Sequence, residues 1–358
     1  MTVQLEDPQV APMLDEAKLN GFIGRAVADW GALGSAALVR IGDRLGLYDA
    51  LAEAGPVTSA ELAARTGTVE RYVREWLLNQ AASETLSYDP ASGRYSLPPE
   101  HAAALPNLVG GYELFLGAIR AEKRIADHFR TGGGLRWGEH DPDLFEGTER
   151  FFRPGYEQNI VQSWLPALEG VVAKLEAGAS VADVGCGHGA STLILAQAYP
   201  RSQIVGYDNH PASIERACEA ARAAGLADRV RFEVAGASTY PAPVTGYDLI
   251  TFFDCLHDMD DPVGASRRAR EALAPDGTVM LVEPMAGAAA EDNFNPLGRV
   301  FSAASVLVCT SNSLAGDGPA LGTLATDAQL SDVFATAGWG RFRRATETPF
   351  NRIFEARL

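Results

Sequence analysis

"SVADVGCGHGAST", residues 180–192, is an apolar run with one acid, Asp183, followed by three glycines that alternate with Cys186 and His188. The apolar part reads as a buried strand. Gly185, Gly187 and Gly189 follow it, and their missing side chains permit a tight turn and close approach of a ligand to the backbone amides. In an open α/β sheet, ligands bind beyond the carboxyl ends of the strands, near the point where strand order reverses.

Working outward, strands and helices alternate. "SVADVG", "SQIVGYD", "VRFEVAG", "YDLITFFD" and "GTVMLVEP" read as strands; "PASIERACEAARAAG" and "DPVGASRRAREALAPDG" read as helices between them. Apolar strands joined by helical crossovers predict a parallel sheet with helices on both faces. The tail, "GRFRRATETPFNRIFEARL", predicts two further strands joined near Pro349 and Asn351, an antiparallel closing hairpin.

Upstream the character changes. "AALVRIGDRLGLYDALAEAG" predicts a helix ending at Gly55, with Leu38, Ile41, Leu45, Leu47 and Leu51 on its apolar face. "VTSAELAARTG" holds a capping box, Thr58 and Glu61. "VERYVREWLLNQAASETL" is a third amphipathic helix, and "LSYDPASGRYSL" carries a hairpin signal. Three helices and a hairpin are the order of a winged helix. "RTGGGLRWGEHDPD" has three consecutive glycines and little periodicity, so the boundary is expected there: domains of 1–135 and 136–358.

Composition excludes several classes. The 358 residues carry a formal net charge of −16, so a polyanion such as nucleic acid is a poor partner. No run of about 20 uninterrupted apolar residues occurs, which predicts no membrane span. The acidic, mixed start is unlike a signal peptide and favours the cytoplasm. Cys186, Cys218, Cys255 and Cys309 lie far apart with no zinc spacing, and the histidines show none either, so no metal is expected.

The glycine loop satisfies a loose GxGxx(G/A) through Gly185, Gly187 and Ala190, and so admits a dinucleotide reading. Two acids favour another ligand. Asp183, at a buried strand end, wants a cationic or hydrogen-bonding partner and would repel a pyrophosphate. Asp208 ends the next strand and can accept from both ribose hydroxyls. A ribose and an amine without phosphates describe S-adenosylmethionine.

At this point four ordered segments, "VADVGCGHGAS", "GYDNH", "YDLITFFDCLHDMDDP" and "EALAPDGTVMLVEP", resemble the class I S-adenosylmethionine-dependent methyltransferases over residues 145–358. With the N-terminal winged helix, the chain is similar to the two-domain small-molecule methyltransferases of bacteria and plants. "FEGTERFFRPGYEQN", "FFDCLHDM" and "NPLGRVFSAAS" resemble a bacterial subgroup of them. The resemblance implies an α/β fold: a Rossmann-like, seven-stranded sheet, mostly parallel, with a mainly α winged-helix domain that makes a homodimer. It implies that Asp183, Gly185, Cys186 and Gly187 hold the methionine part, Asp208 the ribose and Asn209 the adenine, with Phe253 and Asp254 flanking the sulfonium. Many relatives carry an acid after the third strand; here Gly236, Ala237 and Ser238 stand in its place and are expected to read the adenine.

"LHDMDDP" resembles the segment of plant-type O-methyltransferases whose histidine is a general base, and His257 matches it, with Met259 where they have tryptophan. A pocket-lining His257 is the other reading. Tyr156, Glu283, Asn295 and Arg299 are further substrate-site candidates, His188 reads as a loop residue, and Phe253, Phe294 and Phe301 hint at a hydrophobic or aromatic acceptor. The product would be S-adenosylhomocysteine. Two other functions compete: a winged-helix regulator that senses S-adenosylmethionine, and a nicotinamide dehydrogenase. Residues 18–100 hold 8 Lys/Arg against 10 Asp/Glu, and the would-be recognition helix offsets Arg71 and Arg74 with Glu70 and Glu75, which weighs against DNA.

Overall fold

A computed structural model describes residues 14–358. They fall into two compact units, one ending at Pro106 and one running Asn107–Leu358.

The first unit opens with α1 (Glu16–Arg44) and α2 (Leu47–Ala54). These are two helices where the apolar periodicity predicts one, because Gly46 takes a left-handed φ of 65° between them. Next come α3 (Ser59–Thr66), capped by Thr58 and Glu61 as expected, and α4 (Glu70–Ala82). The hairpin is β1 (Ser87–Asp89) and β2 (Arg94–Ser96), and Tyr95 adds a bridge to Val57. Trp76 anchors this unit: its indole N–H donates to the Leu38 carbonyl at 2.8 Å and its ring meets Tyr48 edge-on.

Helix α5 (Pro99–Ile119) carries the chain into the second unit, followed by α6 (Glu122–Thr131), α7 (Pro142–Asn159) and α8 (Val171–Ala177). Among the described residues α5 is a helix long and apolar enough to cross a membrane, with a mean hydropathy of 1.3, although the sequence predicts no span. Its second half packs on α7 instead. A Cβ on Gly117 would stand 2.5 Å from the Leu144 amide nitrogen, and one on Gly147 would stand 2.2 Å from that of Leu114. Only glycine lets the two backbones approach so closely.

The boundary expected at 135 therefore lies inside the second unit. The 132–137 stretch is no linker: the Leu135 amide donates to the Ser311 carbonyl and hydroxyl, and the Trp137 amide to Asn312 Oδ1.

The sheet then unfolds as predicted. Strands β3 (Ser180–Val184), β4 (Gln203–Asp208), β5 (Val230–Val234), β6 (Tyr247–Phe253) and β7 (Leu273–Pro284) are parallel. The helices α9 (Ala190–Ala198), α10 (Pro211–Ala223) and α11 (Pro262–Ala272) cross between them. After α12 (Pro296–Ala304), α13 (Thr310–Leu314) and α14 (Asp327–Thr336), the hairpin β8 (Arg341–Glu347) and β9 (Asn351–Arg357) closes it antiparallel. The order is β5-β4-β3-β6-β7-β9-β8. The chain moves outward through β4 and β5, then returns to β6, so the order reverses between β3 and β6. Two apolar clusters, centred on Phe252 and Phe354 and on Trp164 and Met280, cover the two faces.

Candidate active site

A cavity of about 430 Å³ opens at the carboxyl ends of β3, β4 and β6, at this reversal. Its size suits a small organic ligand. The glycine loop forms one wall. Gly185 has a φ of 76° and faces Cys255, whose Sγ would lie 2.7 Å from any added Cβ, so the position tolerates neither the conformation nor the volume of another residue.

Asp208 sits below the loop. One carboxylate oxygen accepts from the Gly187 amide and the other from His210, both at 2.9 Å. Each oxygen keeps lone-pair capacity toward the cavity, enough for a pair of ligand hydroxyls. Burial pushes its pKa up, and the two backbone bonds and nearby histidines only partly oppose that. Asn209, Gly236, Ala237 and Ser238 line the cavity beside it, as do Cys186, Gly187, Phe253 and Asp254.

Asp183 does not reach the cavity, contrary to the sequence expectation. It is fully buried and its carboxylate is held by three hydroxyls: Ser191 and Thr192 donate to one oxygen at 2.7 and 2.6 Å, Thr251 to the other at 2.9 Å. It ties the start of α9 to β3 and β6, and so fixes the loop from behind.

Asp254 directly follows β6 with a left-handed φ of 50°, a strained conformation for a side-chain-bearing residue. Tyr156 donates its hydroxyl to Oδ2 and Asn351 its amide to Oδ1, each at 2.8 Å. Burial and the nearby Glu283 charge raise Asp254 to about 7. Burial raises Asp258, also in the wall, to about 7. A cavity with Asp208, Asp254 and Asp258 in its walls fits a cation and repels a pyrophosphate. S-adenosylmethionine, with its sulfonium, ammonium and ribose, suits those acceptors.

Helix α7 covers the loop. Glu149 accepts from His188 Nδ1 at 2.9 Å and pairs with Arg153; burial alone would push its pKa up, but these partners bring it down to about 2. His188 is thus a bound wall residue and not a free loop histidine.

His257 stands on a short turn, Leu256–Asp258, after β6. It is 2% exposed, and its Nδ1 lies 2.6 Å from Oε2 of the fully buried Glu283. Burial would lower its pKa, but the Glu283 charge, with Cys309 beside the ring, raises it well above the ordinary value. Contrary to the sequence expectation, Glu283 does not line the cavity; it stands behind His257. Asn295 also lies off the wall, where its side chain caps α12 by accepting from the Gly298 amide, and Arg299 is exposed on that helix. Phe294 is 83% exposed, whereas Phe301 is in the wall. Further aromatic side chains line the cavity: Phe115, Trp137, Phe145, Phe151 and Phe152. Asn351, Glu149 and Asp258 escaped the sequence reading. Asn351 had a signal, being the first residue of a closing strand opposite Pro284.

One acidic cluster, Glu113, Asp143 and Glu146, lies elsewhere. Arg150 and Arg120 already pair with its first two members, at 3.0 and 2.9 Å.

The strand order, the glycine loop and the acid that ends β4 define an S-adenosylmethionine-type Rossmann domain. Residues 175–325 match the model of a methyltransferase domain, and residues 33–107 that of an Rv2258c-like winged HTH domain. The chain thus carries a methyltransferase domain behind an Rv2258c-like winged HTH domain.

It is similar to 27-O-demethylrifamycin SV methyltransferase of Amycolatopsis mediterranei, 33% identical over 49% of this chain and 58% of that one. It is also similar to trans-aconitate 2-methyltransferase of Streptomyces avermitilis, 32% identical over 30% of this chain and 39% of that one. The chain thus spans about half the length of these curated relatives. Among solved structures, mitomycin 7-O-methyltransferase superposes with a TM-score of 0.68 at 20% identity, covering 96% of this chain and 99% of that one. Human N-acetylserotonin methyltransferase in complex with S-adenosylmethionine gives 0.65 at 20% identity, over 97% and 99%. These likenesses carry the fold across both units.

Proposed function

We propose that the protein methylates a small hydrophobic or aromatic acceptor, at a hydroxyl, using S-adenosylmethionine. The observation that carries this reading is one cavity joining the glycine loop and Asp208 to an aromatic wall and the His257–Glu283 pair. S-adenosylmethionine, when bound, supplies an activated methyl group on a cationic sulfur. Asp208 accepts the ribose hydroxyls, Gly236, Ala237 and Ser238 border the adenine, and Asp254, held by Tyr156 and Asn351, faces the positive charge. The glycine loop, residues 185–187, borders the amino-acid end. The aromatic wall orients the acceptor and excludes water, which is most of what an in-line transfer to a neutral leaving group requires.

His257 receives the acceptor's proton. Glu283 at its Nδ1 holds the ring in place and stabilises the imidazolium that forms. The relatives' substrates differ widely, so the wall, and not the match, supports an aromatic acceptor.

Leu19, Phe22, Ile23, Val27, Trp30 and Leu33 form an exposed apolar face along α1. A second copy of the chain suits that face and supports a homodimer through the N-terminal unit. On α4, Arg71 and Arg74 are paired with Glu75 and Glu70 at 2.5 and 2.8 Å, which favours the enzyme over a DNA-reading helix. Four free thiols suit the reducing cytoplasm.

Calorimetric titration with S-adenosylhomocysteine tests the reading. Wild type should bind at micromolar level, about −8 kcal/mol, and Asp208→Ala should lose most of it. A folded wild type that binds none overturns the cofactor assignment.

A further inference from the structure

We propose that Phe145 is the ring platform for the cofactor's purine, and that the purine's edge is read by groups that both donate and accept, so that the site takes 6-oxo purine analogues of the cofactor nearly as well as the 6-amino form. This deepens the cofactor assignment and rests on it. Asp208 fixes where a purine goes. Its oxygens accept from the Gly187 and His210 amides, and its backbone carbonyl accepts from the Ala235 amide at 2.9 Å. Asp208 pairs with Val234 across β4 and β5, so the stretch after β5 begins beside it. A ribose seated on this carboxylate leaves its base among the cavity residues nearest to it: Asn209, Ser213 and the run from Ala235 to Ser238.

Phe145, on α7, closes this space where the aromatic wall meets the nucleoside end. It lines the cavity, and its ring centroid lies 5.1 Å from that of His210. The His210 ring is fixed in turn. Its Nδ1 is 2.9 Å from the Ser213 hydroxyl, and a Cβ on Gly138 would stand 3.0 Å from the ring. Trp137 backs Phe145 from the other side, again at 5.1 Å between centroids. A ring held between two others presents its face to a base at little entropic cost, and base–aromatic stacking tolerates any purine, because every base has a π-face.

The edge of the base meets no carboxylate from β5. Residues 235–238 are Ala, Gly, Ala and Ser, and the other acids of the wall come from α7 and from the segment after β6. A carboxylate at the 6-position accepts from an amine and repels a carbonyl oxygen, so a site built that way rejects the 6-oxo form by a large factor. Here the side chains on offer are the Asn209 amide and the Ser238 hydroxyl, each a donor and an acceptor. By rotation either one meets a 6-amino or a 6-oxo group. The site therefore selects a purine by shape and leaves its 6-substituent open.

The test is calorimetric titration of the full chain with S-adenosylhomocysteine and with S-inosylhomocysteine, its 6-oxo counterpart. Wild type should bind the second within about tenfold of the first, far inside the loss expected where a buried group is left unpaired. Phe145→Leu keeps apolar bulk and removes the ring; it should weaken both ligands about tenfold, and by the same factor. The wild-type comparison needs no variant, so it decides the edge reading even if Phe145→Leu does not fold. A wild type that binds S-adenosylhomocysteine but holds the 6-oxo ligand more than about 100-fold more weakly would overturn the proposal and leave the cofactor assignment standing. Unchanged affinities in Phe145→Leu would overturn the platform. A folded wild type that binds neither ligand removes the cofactor assignment and this proposal with it.

Discussion

Binding of S-adenosylmethionine should depend on pH in a way that binding of S-adenosylhomocysteine does not. The two ligands differ by one methyl group and one positive charge, and the charge belongs beside Asp254. That carboxyl, at about 7, is half protonated at neutral pH. A carboxyl with a raised pKa loses its negative charge as pH falls, so acid should weaken the cationic ligand. The ionised fraction rises from about 0.1 at pH 6 to about 0.9 at pH 8 for such a group. If the sulfonium requires the ionised form, its affinity rises about tenfold over that interval, roughly 1.4 kcal/mol. Asp258, also at about 7 and in the same wall, adds to the slope in proportion to its closeness. Binding at pH 7 should release about half a proton per acid, read as a dependence of the calorimetric enthalpy on the buffer's ionisation heat. Asp254→Asn should flatten the curve. Equal pH slopes for the two ligands in wild type would refute the placement of the charge at Asp254.

Three further outcomes are expected. Glu283→Gln removes the charge that raises His257 and leaves burial, which lowers it; methyl transfer should fall about 100-fold, and the alkaline rise of kcat should move to lower pH, a shift that a packing role alone would not give. Gly117→Ala puts a methyl group against the Leu144 backbone and should cost about 1–3 kcal/mol, seen as a fall of several degrees in Tm, while Gly132→Ala, with no neighbour in the way, gives strain only from its φ of 72°. Trp30→Glu places a charge on the exposed face of α1 and should shift the chain to monomers in sedimentation or light scattering, with the S-adenosylhomocysteine affinity retained.

The sheet was legible because its information is local. Each strand is a short apolar run between helices, and the glycine loop and Asp208 announce themselves within 30 residues. The closing hairpin was legible for the same reason. Where reading failed, the cause was tertiary. Asp183 looked like a ligand-binding acid, but Ser191, Thr192 and Thr251 consume it, and Thr251 is 68 positions away in the chain. The three glycines at 132–134 looked like a linker; a Cβ at Gly134 would strike the Ala315 backbone at 2.1 Å, so that glycine is there for docking. Asn295 looked like a pocket residue because the segment resembles a lid, yet its spacing to Gly298 is that of a helix cap. The His257–Glu283 pair brings together two strand ends, which no local pattern announces.

The same docking has a consequence for the order of assembly. The bond that joins the glycine loop to Asp208 spans 21 positions, whereas those fastening Leu135 and Trp137 to Ser311 and Asn312 span 176 and 175. Short closures form early and long ones wait for the chain between them to collapse. The nucleoside end of the cavity can therefore mature while the aromatic end is still open, and a folding chain that meets its cofactor first would be drawn forward by it.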